Sequence, residues 1–271
     1  VVGRCRKLFG QRQVGHAGTL DPDATGVLLV GLGRATRLLR FLSGLPKSYV
    51  GEVVLGVATS TLDSSGSVVA RYEMGGVGVE DLRRAAAGFV GEVWQVPPMV
   101  SAVKVGGRRL HELARAGEEV ERAARRVVVH RLAVEPGSAP GVFRIEVDCS
   151  SGTYIRSLAA DLGEALGGGA HLRNLRRTAV GPFDAGEAVA LDQVGAADVL
   201  PPREALRGRP SVAVDPATAA AVAHGAVLDR SVLGAGPSDP GPWAVLGEGG
   251  DLLAVYEPHP DGRAKPAVVL A

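Results

Sequence analysis

Residues 141–149 alternate strictly, with Phe143, Ile145, Val147 and Cys149 on one side and Arg144, Glu146 and Asp148 on the other. Only a strand places successive side chains on opposite faces, so this segment is a strand with one face buried and one wet. Residues 48–55 repeat the pattern, with Tyr49, Gly51, Val53 and Leu55 set against Val50, Glu52 and Val54. Helical spacing falls between and after these strands. Residues 80–90 carry Leu82, Ala85, Ala86 and Phe89 on one side, and a helix at 154–166 follows the turn Ser150–Thr153 and ends at Gly167–Gly169. Shorter strands are expected at 68–72, 99–105 and 127–134. Several neighbouring elements are joined by short turns, which predicts an α+β fold with a mixed, largely antiparallel central sheet flanked by helices rather than a parallel doubly wound one.

The 271 residues suffice for a sizeable core in one large domain, or in a large and a small one. The boundaries expected are a main domain at 1–200 with an insertion at about 97–131, a proline-bearing linker at 201–210, and a small, mostly β domain at 211–271. The small domain should hold an Ala-rich helix at 216–224 and strands at 244–246, 252–256 and 267–270. No apolar run approaches the roughly 20 residues of a membrane span, which predicts a soluble protein. No signal peptide is visible, and Cys5 and Cys149 lack any metal-binding or disulfide-framework spacing, which fits a reducing cytoplasm. The six histidines likewise never approach one another at ligand spacing, so no metal site is expected.

Unusual residues concentrate at 15–42, GHAGTLDPDATGVLLVGLGRATRLLRFL. An Asp21-Pro22 loop, preceded by His16 and Gly18, leads into the apolar run Val27–Val30, which reads as a short buried strand. A Gly31–Gly33 turn follows, then an amphipathic helix with Ala35, Leu38, Leu39 and Leu42 on one face and Arg34, Arg37 and Arg40 between. The glycine turn mimics a dinucleotide-binding fingerprint, but its third glycine position is Thr36, and Glu52 lies mid-strand where the ribose-binding acid should end one. Tight helix packing is the better reading. On spacing alone, Asp21-Pro22 is more often a turn than a site.

Charge is local although the net is only +1. Residues 1–47 hold eight basic side chains against two acidic, 104–131 eight against four, and the tail from Ser211 three against seven. Basic segments of this kind suit a phosphate backbone or a solvated Arg-rich surface. The helix bearing Arg34, Arg37 and Arg40 faces RNA or water on these two readings.

The stretch at 15–42 resembles the signature of the bacterial TruB family of tRNA pseudouridine synthases: a glycine-histidine start, G-[TA]-L-D-P, A-T-G, then G-x-A-T-[KR]. The resemblance continues in register. Lys47-Ser48-Tyr49 is similar to K-x-Y, residues 59–66 to a Thr- and Asp-rich turn, and Gln95–Lys104 to Q-x-P-P-x-x-S-A-x-K. Gly107–Gly117 is similar to G-x-R-L-x-E-x-A-R-x-G, Ser150–Arg156 to the stretch ending G-T-Y-I-R, and His171–Arg177 to H-L-x-x-L-R-R. Val100 and His111 stand where aromatic residues are frequent, and the family's K-P-x-G-x-T-S strand has no counterpart in this sequence.

The resemblance implies the pseudouridine synthase fold and isomerisation of uridine at position 55, in the tRNA T-loop, without cofactor or metal. Asp21 is then the nucleophile, Arg156 the guanidinium that fixes its charge and direction, and Tyr49 the ring that stacks on the uracil and accepts the carbon 5 proton. His16, Tyr154 and Leu175 would meet the flipped nucleotide and the loop around it. The insertion resembles the family's thumb, with Lys104, Arg108 and Arg109 on the T-arm phosphates. The tail resembles a PUA-like domain. A cytoplasmic monomer that needs no guide RNA is expected. The rival readings are a pseudouridine synthase for another RNA and a non-catalytic tRNA-folding protein.

Overall fold

The computed structural model describes residues 1–101, 103–118, 120–236 and 238–270. Ala102 and Glu119, which the motif and charge readings included, lie outside the described residues, as does the side chain of His111. Two compact units form without regard to chain order. The larger is Thr19–Leu28 with Gly44–Ala188, and the smaller is Val1–Gly18, Leu29–Ser43 and Val189–Ala271. Among the described residues, no helix is long and apolar enough to cross a membrane.

The larger unit is built on five main strands: β1 (Lys47–Leu55), β2 (Gly91–Gln95), β3 (Arg125–Pro136), β4 (Val142–Cys149) and β5 (Ala170–Val180). They lie in the order β5-β1-β4-β3-β2, and every one of these pairings is antiparallel. The two-residue strand Thr25–Gly26 adds to β5 in parallel, so the sheet is mixed and largely antiparallel, as expected. Helices α1 (Val79–Ala87) and α2 (Ile155–Ala165) cover one face. There Leu82, Ala86, Leu158 and Leu162 pack with Val53, Ile145, Val147 and Cys149 from the alternating strands.

The wet face explains the other half of the alternation. Arg131 pairs with Glu146 and Asp148, Arg144 with Glu135 and Glu146, and Arg173 with Glu52. Hydrogen bonds from Arg131 and Arg144 hold the Glu146 carboxyl below its ordinary range. Exposed pairs of this kind contribute at most about 1 kcal/mol each, so the apolar face dominates stability.

Two local expectations change. The apolar run Val27–Val30 is not one strand: Thr25–Gly26 and Val30–Leu32 are strands and residues 27–29 link them, with Val27 and Leu28 in the larger unit and Leu29 and Val30 in the smaller. In the insertion, the expected strand at 99–105 shrinks to Lys104–Val105, paired with Arg108–Arg109, before a helix at Leu110–Arg115.

In the smaller unit, β6 (Ser211–Ala213), β7 (Trp243–Leu246), β8 (Leu252–Pro258) and β9 (Ala264–Val269) form a sheet in that order, with helix α3 (Pro216–Ala223) capped by Asp215. The segment after Gly31 belongs here, as a 3-10 turn at Gly33–Leu38 running into a short helix at Leu39–Ser43. Leu38 and Phe41 are buried with Ala244, Leu252, Val255 and Val268. Gly31 lies against Leu39 and Thr36 so closely that a β-carbon would crowd both, which is the packing role expected of the glycine turn. The arginines between are exposed and also reach the chain's own tail. Arg34 donates to the Leu270 carbonyl at 2.7 Å, Arg37 to the Val269 carbonyl at 2.6 Å, and Arg40 pairs with Glu257 at 3.1 Å. The acidic tail thus supplies acceptors for part of the basic N-terminal segment.

Candidate active site

The loop that carries Asp21 is shaped by its own backbone. The Ala24 amide donates to the Asp21 carbonyl at 3.0 Å to close a turn, and the Val27 amide donates to the Arg177 carbonyl at 2.9 Å. Gly26 makes this docking possible: its φ is +100°, and any β-carbon there would collide with the Arg177 main chain.

Arg156 grips the Asp21 carboxylate with two parallel bonds, Nε to Oδ2 at 2.9 Å and Nη2 to Oδ1 at 2.7 Å. The arginine side chain is 4% exposed and the aspartate side chain 34%. A cation in the first turn of a helix opposes the helix dipole, so Arg156 needs acidic partners to be tolerated there. It has two, because Asp63 Oδ2 lies 3.6 Å from Nη1. Carbonyls complete the set: Nη1 donates to Thr61 at 3.0 Å and Nη2 to Val100 at 2.8 Å. Such a bidentate pair fixes the direction of the carboxylate.

Three supporting residues fall within the sequence motifs without having been assigned a role there. Asp63 is held in its turn by the Thr61 hydroxyl at 2.5 Å and by the Ser65 amide and hydroxyl at 3.1 and 2.6 Å. The Thr-x-Asp-x-Ser spacing is the local signal for this, since Asp side chains bond the backbone two residues on. Gln95, 2% exposed at the end of β2, accepts from the Tyr154 amide at 2.9 Å and donates to its carbonyl at 3.3 Å. It satisfies a backbone donor at the start of α2, just before Arg156. The third is Arg177, fully buried, which donates to the Val27 carbonyl at 2.8 Å. Motifs include Gln95 and Arg177, but no local pattern gives them these roles, because their partners lie far off in sequence.

Tyr49 points from β1 into the core face and is 9% exposed. Burial pushes its phenol above the ordinary range, opposed by the neighbouring Arg177. Leu175 is half-buried against the core and lines a cavity together with Asp21, Asp63, Arg156 and Leu172. Tyr154 is half-buried and precedes α2. His16 is exposed at the end of a short strand in the smaller unit, and Lys104, Arg108 and Arg109 are exposed on the hairpin of the insertion. Arg108 is engaged with Glu118 at 3.0 Å.

A carboxylate held by a buried fork, beside a cavity in which Leu172 and Leu175 stand among mostly polar side chains, can attack an electrophilic carbon or take a proton. The fold and this cavity define a class: an α+β enzyme with a guanidinium-held carboxylate beside a largely antiparallel sheet. Comparison with known proteins gives it a family. A model described as the TruB family pseudouridylate synthase N-terminal domain matches residues 6–155, and one described as the tRNA pseudouridylate synthase B C-terminal domain matches residues 156–207. The tRNA pseudouridine synthase B of Arthrobacter sp. (strain FB24) is 44% identical over 100% of this chain and 92% of its own length. That of Mycobacterium sp. (strain KMS) is 46% identical over 100% of this chain and 91% of its own length. A crystal structure of a Cbf5-Nop10-Gar1 complex contains a chain that superposes with a TM-score of 0.72 at 28% identity, covering 95% of this chain and 73% of that one. The chain belongs to the TruB family of pseudouridylate synthases, RNA-modifying isomerases, and its fold is theirs.

Proposed function

We propose that this enzyme converts uridine to pseudouridine at position 55 in the T-loop of tRNA, with Asp21 as nucleophile. The observation that carries the reading is the Asp21 carboxylate, gripped by buried Arg156 and open to the cavity. The names of the relatives, which are tRNA pseudouridine synthases, support the substrate class. The target base leaves the RNA stack and enters the cavity. Asp21 initiates cleavage of the glycosidic bond, the uracil rotates, and carbon 5 bonds to the sugar while its hydrogen departs as a proton. Tyr49 stacks on the ring and, as its phenolate, accepts that proton to become the neutral phenol. Tyr154 and Leu175 line the pocket, and His16 meets the RNA loop. Lys104, Arg108 and Arg109 bind T-arm phosphates, which orients the RNA without reading its sequence. The enzyme works in the cytoplasm as a monomer, without guide RNA or cofactor.

A T-arm minihelix carrying tritium at uracil carbon 5 tests this. The wild type should release the tritium and Asp21→Asn should release none. Absence of release by the wild type, or equal release by Asp21→Asn, would overturn the assignment, and faster release from a different RNA would reassign the substrate.

A further inference from the structure

The larger unit buries a second guanidinium, Arg177, at 1% exposure, and the chemistry just described gives it no task. A charge so deep is tolerated only where its N–H groups find acceptors. Two of these acceptors belong to the Asp21 loop. Nε donates to the Val27 carbonyl at 2.8 Å and Nη1 to the Thr19 carbonyl at 3.4 Å, so the contacts fall on either side of Asp21. The Arg177 main chain reinforces them, since its carbonyl accepts the Val27 amide at 2.9 Å. Arg177 is also directly opposed to Tyr49 across the antiparallel β5–β1 pair, so the two buried side chains stand side by side on one face of the sheet.

Asp21 and Tyr49 sit on different segments and must address the same base. Arg156 aims the carboxylate, but its hydrogen bonds go to Asp21, Thr61 and Val100 and none to Tyr49. A planar group with donors diverging in fixed directions can hold two separate carbonyls of the loop while it lies beside the Tyr49 ring. A lysine ammonium offers one point instead. We propose that Arg177 is a positioning residue: it ties the Asp21 loop to β5 directly beside Tyr49, so that nucleophile and proton acceptor meet the uracil together. The inference rests on the roles proposed above for Asp21 and Tyr49. Burial raises the Tyr49 phenol above its ordinary range, and the neighbouring guanidinium offsets part of that rise.

The test is Arg177→Lys in the full chain, assayed with T-arm minihelix carrying either hydrogen or deuterium at the target carbon 5. A misplacement of about 1 Å costs on the order of 100-fold in rate. The expected result is therefore a kcat lowered about 100-fold with KM within threefold, and a larger slowing by deuterium than in the wild type, because proton removal becomes the lagging step. A kcat within threefold of wild type overturns the proposal. So does a rate loss with an unchanged isotope effect, which is what partial unfolding alone would give. If Arg177→Lys does not fold, Tyr49→Phe decides: the arginine guanidinium N–H resonances should shift and exchange faster with solvent, and unchanged resonances overturn the proposal. A wild type inactive on every uridine-bearing RNA would remove the proposed function itself, whereas an active wild type with these failures removes only the role of Arg177.

Discussion

Arg156→Lys separates the geometry of the site from its charge. Arg156 makes four hydrogen bonds of 2.7–3.0 Å, two to Asp21 and one each to the Thr61 and Val100 carbonyls. Lysine keeps the positive charge but has one nitrogen, which cannot span both carboxylate oxygens and two carbonyls on separate segments. Losing two bonds to a charged group removes about 3–6 kcal/mol at full burial. Because Asp21 is about a third exposed, water replaces part of this, leaving about 2–3 kcal/mol. Applied to the transition state at about 1.36 kcal/mol per tenfold, the loss slows the chemistry roughly 30- to 160-fold. Applied to folding, it lowers the Tm by roughly 4–12 °C for a unit of this size. Single-turnover tritium release at saturating enzyme, with thermal melts on the same samples, reads both effects. A variant within threefold of wild type would show that the fork is irrelevant. One as slow as Arg156→Met would show that the retained charge contributes nothing, and either result refutes the reasoning.

On the insertion, Lys104→Gln or Arg109→Gln should each flatten the slope of log affinity against log salt by about 0.7–0.9, and Arg108→Gln by less, because Arg108 is shared with Glu118. Three equal changes, or none, would remove this distinction. Gly26→Ala puts a β-carbon into the Arg177 main chain at a φ of +100°, and should destabilise by about 2–4 kcal/mol in urea unfolding. A loss below about 1 kcal/mol would mean that the loop shifts freely. Burial, aided by Glu164, pushes Asp161 up to about 6 from 3.8. An acid raised in this way weakens folding fully above pH 6 and not at all below its unfolded value. Asp161→Asn should therefore stabilise by about 1 kcal/mol at pH 8, the full shift being discounted for partial exposure, and by nothing at pH 3.5. Equal gains at both pH values would contradict the assigned cause.

What the sequence determined by itself is local and periodic. The alternation in β1 and β4 follows from a side-chain repeat of two, so each strand declared which face would be buried before any partner was known. The helix α2 was legible from its apolar spacing and the glycines after it, and the motifs sufficed to indicate the family. What only the tertiary structure decided depends on partners far along the chain. The run Val27–Val30 has a strand's composition, yet the chain passes between two units there, because Gly26 docks on β5 about 150 residues later. The stripe Arg34, Arg37 and Arg40 reads as a surface for phosphate or water, and only the fold showed that it also reaches the Leu270 and Val269 carbonyls and Glu257. Asp21 stood out as a loop residue, but its grip by Arg156, the brace from Asp63 and the frame set by Arg177 join segments that no periodicity connects. A buried charge must find its partners wherever the fold brings them, and that search is settled by packing rather than by spacing.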